Sequence, residues 1–395
     1  SQQQRTARPS DHCSSHQPNT VARPVDIISL EGEAGALRIF DRVEVVNDIT
    51  GPATASFSIG DDGSYESLYR ALAHGKPFTV YLNGFPRMKG IVVTQEIPDD
   101  ARGGTMIELR LATKFADAYV SSAEPDIKVE NTSIKDFITR LLAPIGYEED
   151  DLAFLPAAER DLMTGRPTRG GAAPADLDKI QVPQAKVNPP ETVYDAGMRH
   201  LKRHSLMWWD APDGRIFVGT PDVDQRPLYR FRSKRGARSQ GNNVINLRRV
   251  ADWYEIPTSV TVFGGIQNKQ LAKATVTATS ANADMLRAGF YRPVYLPAEQ
   301  IKTLAGAERQ ARREIAQRSK RKDAYEITVD GWSYWDGSST TPYAPNTTAD
   351  VDLDALGGVQ GRYYIHKVTM REDARGGQQT TLSLVHPDVW RLLVA

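Results

Sequence analysis

Gly90-Ile-Val-Val-Thr-Gln-Glu-Ile-Pro-Asp-Asp-Ala-Arg-Gly-Gly104 and, near the carboxyl end, Tyr363-Tyr-Ile-His-Lys-Val-Thr-Met-Arg-Glu-Asp-Ala-Arg-Gly-Gly377 read as two versions of one hairpin. Asp-Ala-Arg-Gly-Gly is the same in both turns, and beyond it Leu109 and Leu111 fall where Leu382 and Leu384 fall, in one period-two register. A Gly-Gly tip recurs for local reasons, because glycine accepts positive φ without strain. Two unrelated hairpins are therefore one reading. The matching strands on both sides favour the other, duplication of a whole β-barrel.

Outward from the first hairpin the pattern is short and alternating. Leu37, Ile39 and Val43 to Val46 are followed by Ala53, Ala55, Phe57 and Ile59, then by Phe78, Val80 and Leu82. Turn residues separate them at Gly51-Pro52, Asp61-Asp62-Gly63 and Asn83-Gly84. Period two with such punctuation predicts an antiparallel barrel or sandwich, and Asn-Gly predicts a tight hairpin because both residues tolerate positive φ. The chain then changes character. Ser133 with Asp136 three residues on, followed by Phe137, Ile138, Leu141 and Leu142, predicts a capped amphipathic helix. A second helix follows Pro189-Pro190 through Val193, Met198 and Leu201, and leads to a hairpin over Leu206–Trp209 and Ile216–Val218. After Pro221 alternation resumes, with Val260 to Phe263 among the strands, and is interrupted by a helix carrying Ile301, Leu304, Ala311 and Ile315.

The expected class is mixed β and α/β, that is α+β: two similar antiparallel β-barrels, an α/β domain between them, and a helical insertion in the second barrel region. The corresponding segments are a mobile polar arm over 1–24, a first barrel over 25–116, and the α/β domain over 117–222. Within the last, 164–187 is crowded with Gly, Pro, Ala and charge and reads as a long loop. The second barrel takes 223–265 and 323–395, and the insertion 266–322.

Composition narrows the function. The 395 residues carry 49 basic and 49 acidic side chains, so the whole chain lacks the basic excess that non-specific nucleic-acid binding uses. A single cysteine, Cys13, excludes an intrachain disulfide. No stretch reads as a membrane helix, and the first twenty residues are polar, so the expectation is a chain without an export signal or stable membrane insertion. His12, Cys13 and His16 make an incomplete metal set on the polar arm, and His200 and His204 share a helix face but have Leu201, not Glu, between them. His366 and His386 fit ordinary strand histidines. No nucleophile elbow, P-loop or dinucleotide turn is present, so neither enzymatic activity nor a cofactor is expected. Two basic runs, Arg230 to Arg238 and Lys302 to Lys322, read as solvated faces, with acidic partners or passing DNA as the other readings.

The order of elements resembles the baseplate hub family of Mu-like contractile-tailed phages, related to the late control D proteins and to the hub part of type VI secretion spike proteins. The residues that carry the resemblance are Val80-Tyr-Leu-Asn-Gly84 with Gly90-Ile91, then Glu191-Thr192 opening a helix toward Trp208-Trp209 and Asp213-Gly214, then Tyr363 to Val368 with its acidic Gly-Gly turn. It covers about Val25 to Trp390. It implies a homotrimer whose two barrels per chain form a pseudo-sixfold ring around a channel, with the tail tube or a distal tail protein on one side and the central spike on the other. DNA would pass transiently, and the protein would be assembled in the host cytoplasm and reside in the virion. Six similar turns would then face one neighbouring ring, making Asp100, Arg102, Asp373 and Arg375 the candidate partner-binding residues. The other readings are a barrel-based nucleic-acid or oligosaccharide-binding module and a muralytic tail-tip enzyme, which needs a placed pair of carboxylates.

Overall fold

The computed structural model describes residues 24–33, 35–60, 70–97, 99–100, 104–153, 162–165, 179–204, 206–236, 241–265, 274–298, 301–319, 324–354, 358–373 and 376–394. The amino-terminal β region contains β1 (Ile28–Gly32), β2 (Gly35–Leu37), β3 (Arg42–Asp48), β4 (Thr54–Gly60), β5 (Pro77–Leu82), β6 (Phe85–Glu96), β7 (Asp99–Asp100) and β8 (Gly104–Thr113). Asn83 and Gly84 adopt φ of 52° and 82°, which makes the predicted tight turn between β5 and β6. Alternation then decides the faces: Val43, Val45, Ala55, Phe57, Leu109 and Leu111 point into the core, and their neighbours point out.

A small α/β layer follows, with β9 (Lys128–Ser133), β10 (Leu152–Ala153), β11 (Gln181–Lys186), β12 (Met207–Asp210) and β13 (Ile216–Gly219). Ser133 caps the helix Ile134–Leu142 by accepting the Asp136 N–H at 3.0 Å, and Thr192 caps Val193–Leu201 by accepting that of Asp195 at 3.1 Å. Gly197 lies in the second helix because a Cβ there would come within 2.3 Å of the Trp208 ring. The stretch 164–187, expected to be a loop, ends in β11, which pairs antiparallel with β9 and buries Val182 and Ala185. Pro183 and the polar residues beside it hid this two-stranded ribbon from a pattern reading.

The carboxyl-terminal part comprises β14 (Tyr229–Ser233), β15 (Asn246–Val250), β16 (Ser259–Gly264), β17 (Val276–Ala281), β18 (Pro293–Ala298), β19 (Ala324–Asp330), β20 (Ser333–Trp335), β21 (Thr340–Pro342), β22 (Thr347–Leu353), β23 (Val359–Asp373) and β24 (Gly377–Val385). Strand β16, read from sequence with the second β region, instead pairs with β17 and β18 in a separate three-stranded sheet. The helix Leu304–Arg318 covers that sheet, with Ala307 and Ala311 against Val260 and Val262. The inserted unit is therefore α/β, with a core of its own.

Antiparallel pairing dominates the strands among the described residues. Fourteen strands among the described residues form one sheet in which β1-β5-β6-β8-β4-β3 continues through a β3–β23 pairing into β23-β24-β19-β15, with β14-β22 attached to β23. The two halves repeat one order: β1-β5-β6-β8-β4-β3 corresponds to β14-β22-β23-β24-β19-β15, strand for strand in chain order. Their registers agree as well. The shift that carries Gly90 onto Tyr363 carries Ile91↔Ala112 onto Tyr364↔Val385, Gln95↔Leu109 onto Val368↔Leu382, and Asp100↔Gly104 onto Asp373↔Gly377. Even the β-bulge repeats, at Val93 in one copy and His366 in the other. One difference breaks the match: β1 runs antiparallel to β5, whereas β14 runs parallel to β22. The inward residues of both halves merge in a single apolar core, from Leu30 and Phe57 to Ile327 and Leu384.

Candidate functional site

The strand ladders place the two repeated turns relative to one another. Asp373 pairs with Arg42, Arg42 with Ser58, Ser58 with Glu108 and Glu108 with Glu96, so one row of the sheet links the ends of both hairpins. Because neighbours along this row are antiparallel, the β6–β8 turn and the β23–β24 turn leave the sheet from the same end. Asp100 pairs with Gly104 at the first tip. Asp373 lies exposed at the second, where its Oδ1 accepts the Gly376 N–H at 2.6 Å and closes the turn. Arg102 and Arg375 lie outside the described residues.

Beside the tips, the outward face of the sheet forms a groove of about 300 Å³ lined by Arg42, Glu44, Ser58, Glu96, Glu108 and Arg110 among others. Its floor lies on β3, β4, β8 and β6 of the first half and ends at β3, the strand that meets the second half. There Arg371 Nε donates to Glu44 Oε2 at 2.5 Å, joining β23 to β3 by a charged pair as well as by backbone. Both partners are largely exposed, so this pair adds little to stability and more to register.

Three polar groups, Asp26 and Arg87 buried and Asp210 half-buried, fix the relative placement of the modules. Asp26 accepts the Trp332 N–H at 2.7 Å, the Ser333 hydroxyl at 2.6 Å and the Asn83 amide at 2.7 Å, which ties the first strand region to the β19–β20 corner. Arg87 is fully enclosed; it donates to the carbonyls of Met163 and Tyr343, while its own carbonyl accepts from Asn47. Burial lowers its pKa to about 10, so the guanidinium stays charged at neutral pH. Asp210, at the end of β12, takes the Thr113 hydroxyl at 2.5 Å and the Ala53 N–H at 2.8 Å on one oxygen. Burial pushes its carboxyl up to about 6. These residues were missed in the sequence, where an isolated Asp or Arg carries no signal of burial.

The other candidates take structural positions. His200 is buried against the Phe137 ring at 4.6 Å between Arg199 and Arg203, and burial with those cations lowers its pKa to about 3, leaving a neutral packed ring. His204 belongs to the short turn that follows. Among the described residues no group of three or more His, Cys, Asp or Glu side chains is arranged to hold a metal; His12, Cys13 and His16 lie outside them. In the basic runs, Lys234 meets Asp352 and Asp354, and Arg318 pairs with Glu314 at 2.7 Å. No helix among the described residues is long and apolar enough to cross a membrane.

This architecture has counterparts among solved structures. A tail protein from Neisseria meningitidis MC58 superposes with a TM-score of 0.74 at 19% identity, over 94% of this chain and 99% of that one. The 43 kDa tail protein of prophage MuSo2 from Shewanella oneidensis gives 0.70 at 16% identity, over 92% and 99%. The chain has the fold of phage tail proteins. A more distant counterpart, prophage tail protein gp18 from Listeria monocytogenes EGD-e, gives 0.51 at 12% identity, over 90% and 94%. No family model matches the sequence, and no curated protein does.

Proposed function

We propose that this chain is a structural hub of a phage tail baseplate. Three copies form a ring of six similar β modules, each closed as a barrel, that joins the tail tube to the central spike and leaves a channel for DNA. The observation that carries this reading is the in-register duplication, bulge included, on a fold shared with phage tail proteins. A threefold object with two like surfaces per subunit can meet a sixfold tube end without mismatch. The role is mechanical rather than catalytic: the titratable groups Asp26, Arg87 and Asp210 are engaged in holding modules together. The two turns at one end of the sheet, with Asp100, Arg102, Asp373 and Arg375, are the proposed contacts to the neighbouring ring.

Native mass spectrometry over a range of protein concentrations, with and without the tail partners, tests the reading. A trimer is expected. A chain that stays monomeric under all of these conditions overturns it.

A further inference from the structure

Exposed aromatic rings are confined to one part of the molecule. Among the described residues, the aromatic side chains left open to solvent are Tyr254 at 81%, Tyr291 at 85% and Tyr295 at 57% exposure, and all three belong to the inserted unit or to the segment that enters it. Single exposed apolar residues are ordinary, but a concentration of rings marks a binding surface.

Tyr254 borders a groove of about 880 Å³ between its own segment, the start of β18 and the last turn of the helix Leu304–Arg318. The ring is held from behind. Tyr254 N–H donates to Asp252 Oδ1 at 2.9 Å, and Arg292 donates to the carbonyls of Trp253 and Tyr254 at 2.5 and 2.8 Å. The same guanidinium lies 4.5 Å from the Phe290 ring centre and 5.9 Å from that of Tyr254. A braced corner thus presents one face of the Tyr254 ring to solvent.

Charge and chemistry narrow the occupant. In the described lining Glu255 and Glu314 balance Arg292 and Arg318, and Glu314 accepts from Arg318 Nε at 2.7 Å. A nucleic acid or an acidic segment needs a basic surface, which this groove does not offer. An apolar segment gains little either, because beyond the Tyr254 ring the apolar lining is Pro257 and Val294. The rest is planar and polar. Glu255 and Gln317 make no hydrogen bond among the described residues, so their carboxylate and amide are free to serve a ligand. A sugar ring uses this combination: an aromatic plate meets its C–H face, and carboxylate, amide and guanidinium groups meet its hydroxyls.

We propose that the groove binds an uncharged oligosaccharide, with Tyr254 as the stacking platform and Glu255, Arg292 and Gln317 as hydroxyl partners. Its volume suits a few sugar rings. The site binds and does not cleave: Glu314 is engaged by Arg318 and Glu255 is exposed, so neither is enclosed in the apolar surroundings of a general acid. The assignment goes beyond the hub reading and does not depend on it, since every lining residue lies within one chain.

The test titrates the full chain with chitotetraose, cellotetraose, maltotetraose and mannotetraose, read by saturation-transfer NMR and calorimetry, with a sulfated heparin tetrasaccharide as the charged comparison. At least one neutral sugar should bind, and the sulfated one should not. Tyr254→Ala should weaken that binding about tenfold or more with unchanged melting, and Gln317→Ala should weaken it less. Tyr254→Phe should keep it, as should Tyr295→Ala on the opposite face of the same sheet. Failure of all four neutral sugars to bind, preference for the sulfated one, or indifference to Tyr254→Ala overturns the site. Loss through Tyr254→Ala of binding to a tail partner, with no sugar bound, also overturns it and assigns the groove to a protein interface. None of these outcomes bears on trimer formation, which native mass reads separately.

Discussion

The two β halves share strand order, register and bulge, and differ in what hangs from them. Between β3 and β4 the chain turns within a few residues, through Ile49 to Ala53; between the equivalent β15 and β19 it runs through a three-stranded sheet and a fifteen-residue helix with its own core. Loop-closure entropy grows slowly with length, so a connection at a sheet end tolerates such an addition at small cost. The ladders on either side are unaffected: Arg42↔Ser58 and Asn246↔Thr328 are equivalent pairs. What is held constant is the inward face and the edge. What varies is the connection and the direction of the entering strand, β1 against β14.

The comparison treats the halves as one folding unit with a shared core, and this can be broken by experiment. The largest effect is expected at Asp26, which serves three donors from both halves. Asp26→Ala leaves the Trp332 N–H and the Ser333 and Asn83 side chains without their acceptor and should cost about 4 kcal/mol, read by chemical denaturation. A loss confined to a separate, earlier transition would show that the halves unfold independently. Leu109→Ala and Leu382→Ala sit at equivalent buried positions, and each should cost about 3 kcal/mol and move the same melting transition. Unequal costs would show that the equivalence ends at the backbone.

Asp210 sharpens the contrast between the first half, which it holds to the α/β layer, and the second. Its folded pKa of about 6 lies above the ordinary 3.8, so the folded state keeps the proton longer than the unfolded one. Its contribution is most favourable below about pH 3.8 and is lost as pH rises through 6. Asp210→Asn should therefore gain on the native chain by up to ~3 kcal/mol between pH 4 and 7. A flat difference would mean that the Thr113 and Ala53 donors offset the burial. The smallest effect is expected at Asp373: Asp373→Ala removes the acceptor of the Gly376 N–H and should cost about 1 kcal/mol, with faster hydrogen exchange at Gly376 as the local readout.

Local features were legible in the sequence. The Asn83-Gly84 turn, the Ser133 cap, the shared hairpin and the alternation of Leu109 and Leu111 each have a signal within a few residues, and each is present. The β3–β23 seam has none, because pairing between segments so far apart in sequence leaves no periodicity in either. Strand β16 was misassigned for a related reason: Val260 to Phe263 reads as a strand, but its partner is set by topology. In the candidate site, the acidic turn was visible as a turn. Asp373 proves to be committed to its own backbone, and the enclosed Arg87, which charge alone would place at the surface, was not visible at all.

The bulge at His366 marks the residue at which β23 leaves β22 and takes up β3. A single extra residue thus turns one strand into a coupler, with an upstream half that completes its own module and a downstream half that receives the next. Val93 repeats the bulge in the first half, where β6 leaves β5 and keeps β8, so the device belongs to the repeat and not to one copy of it.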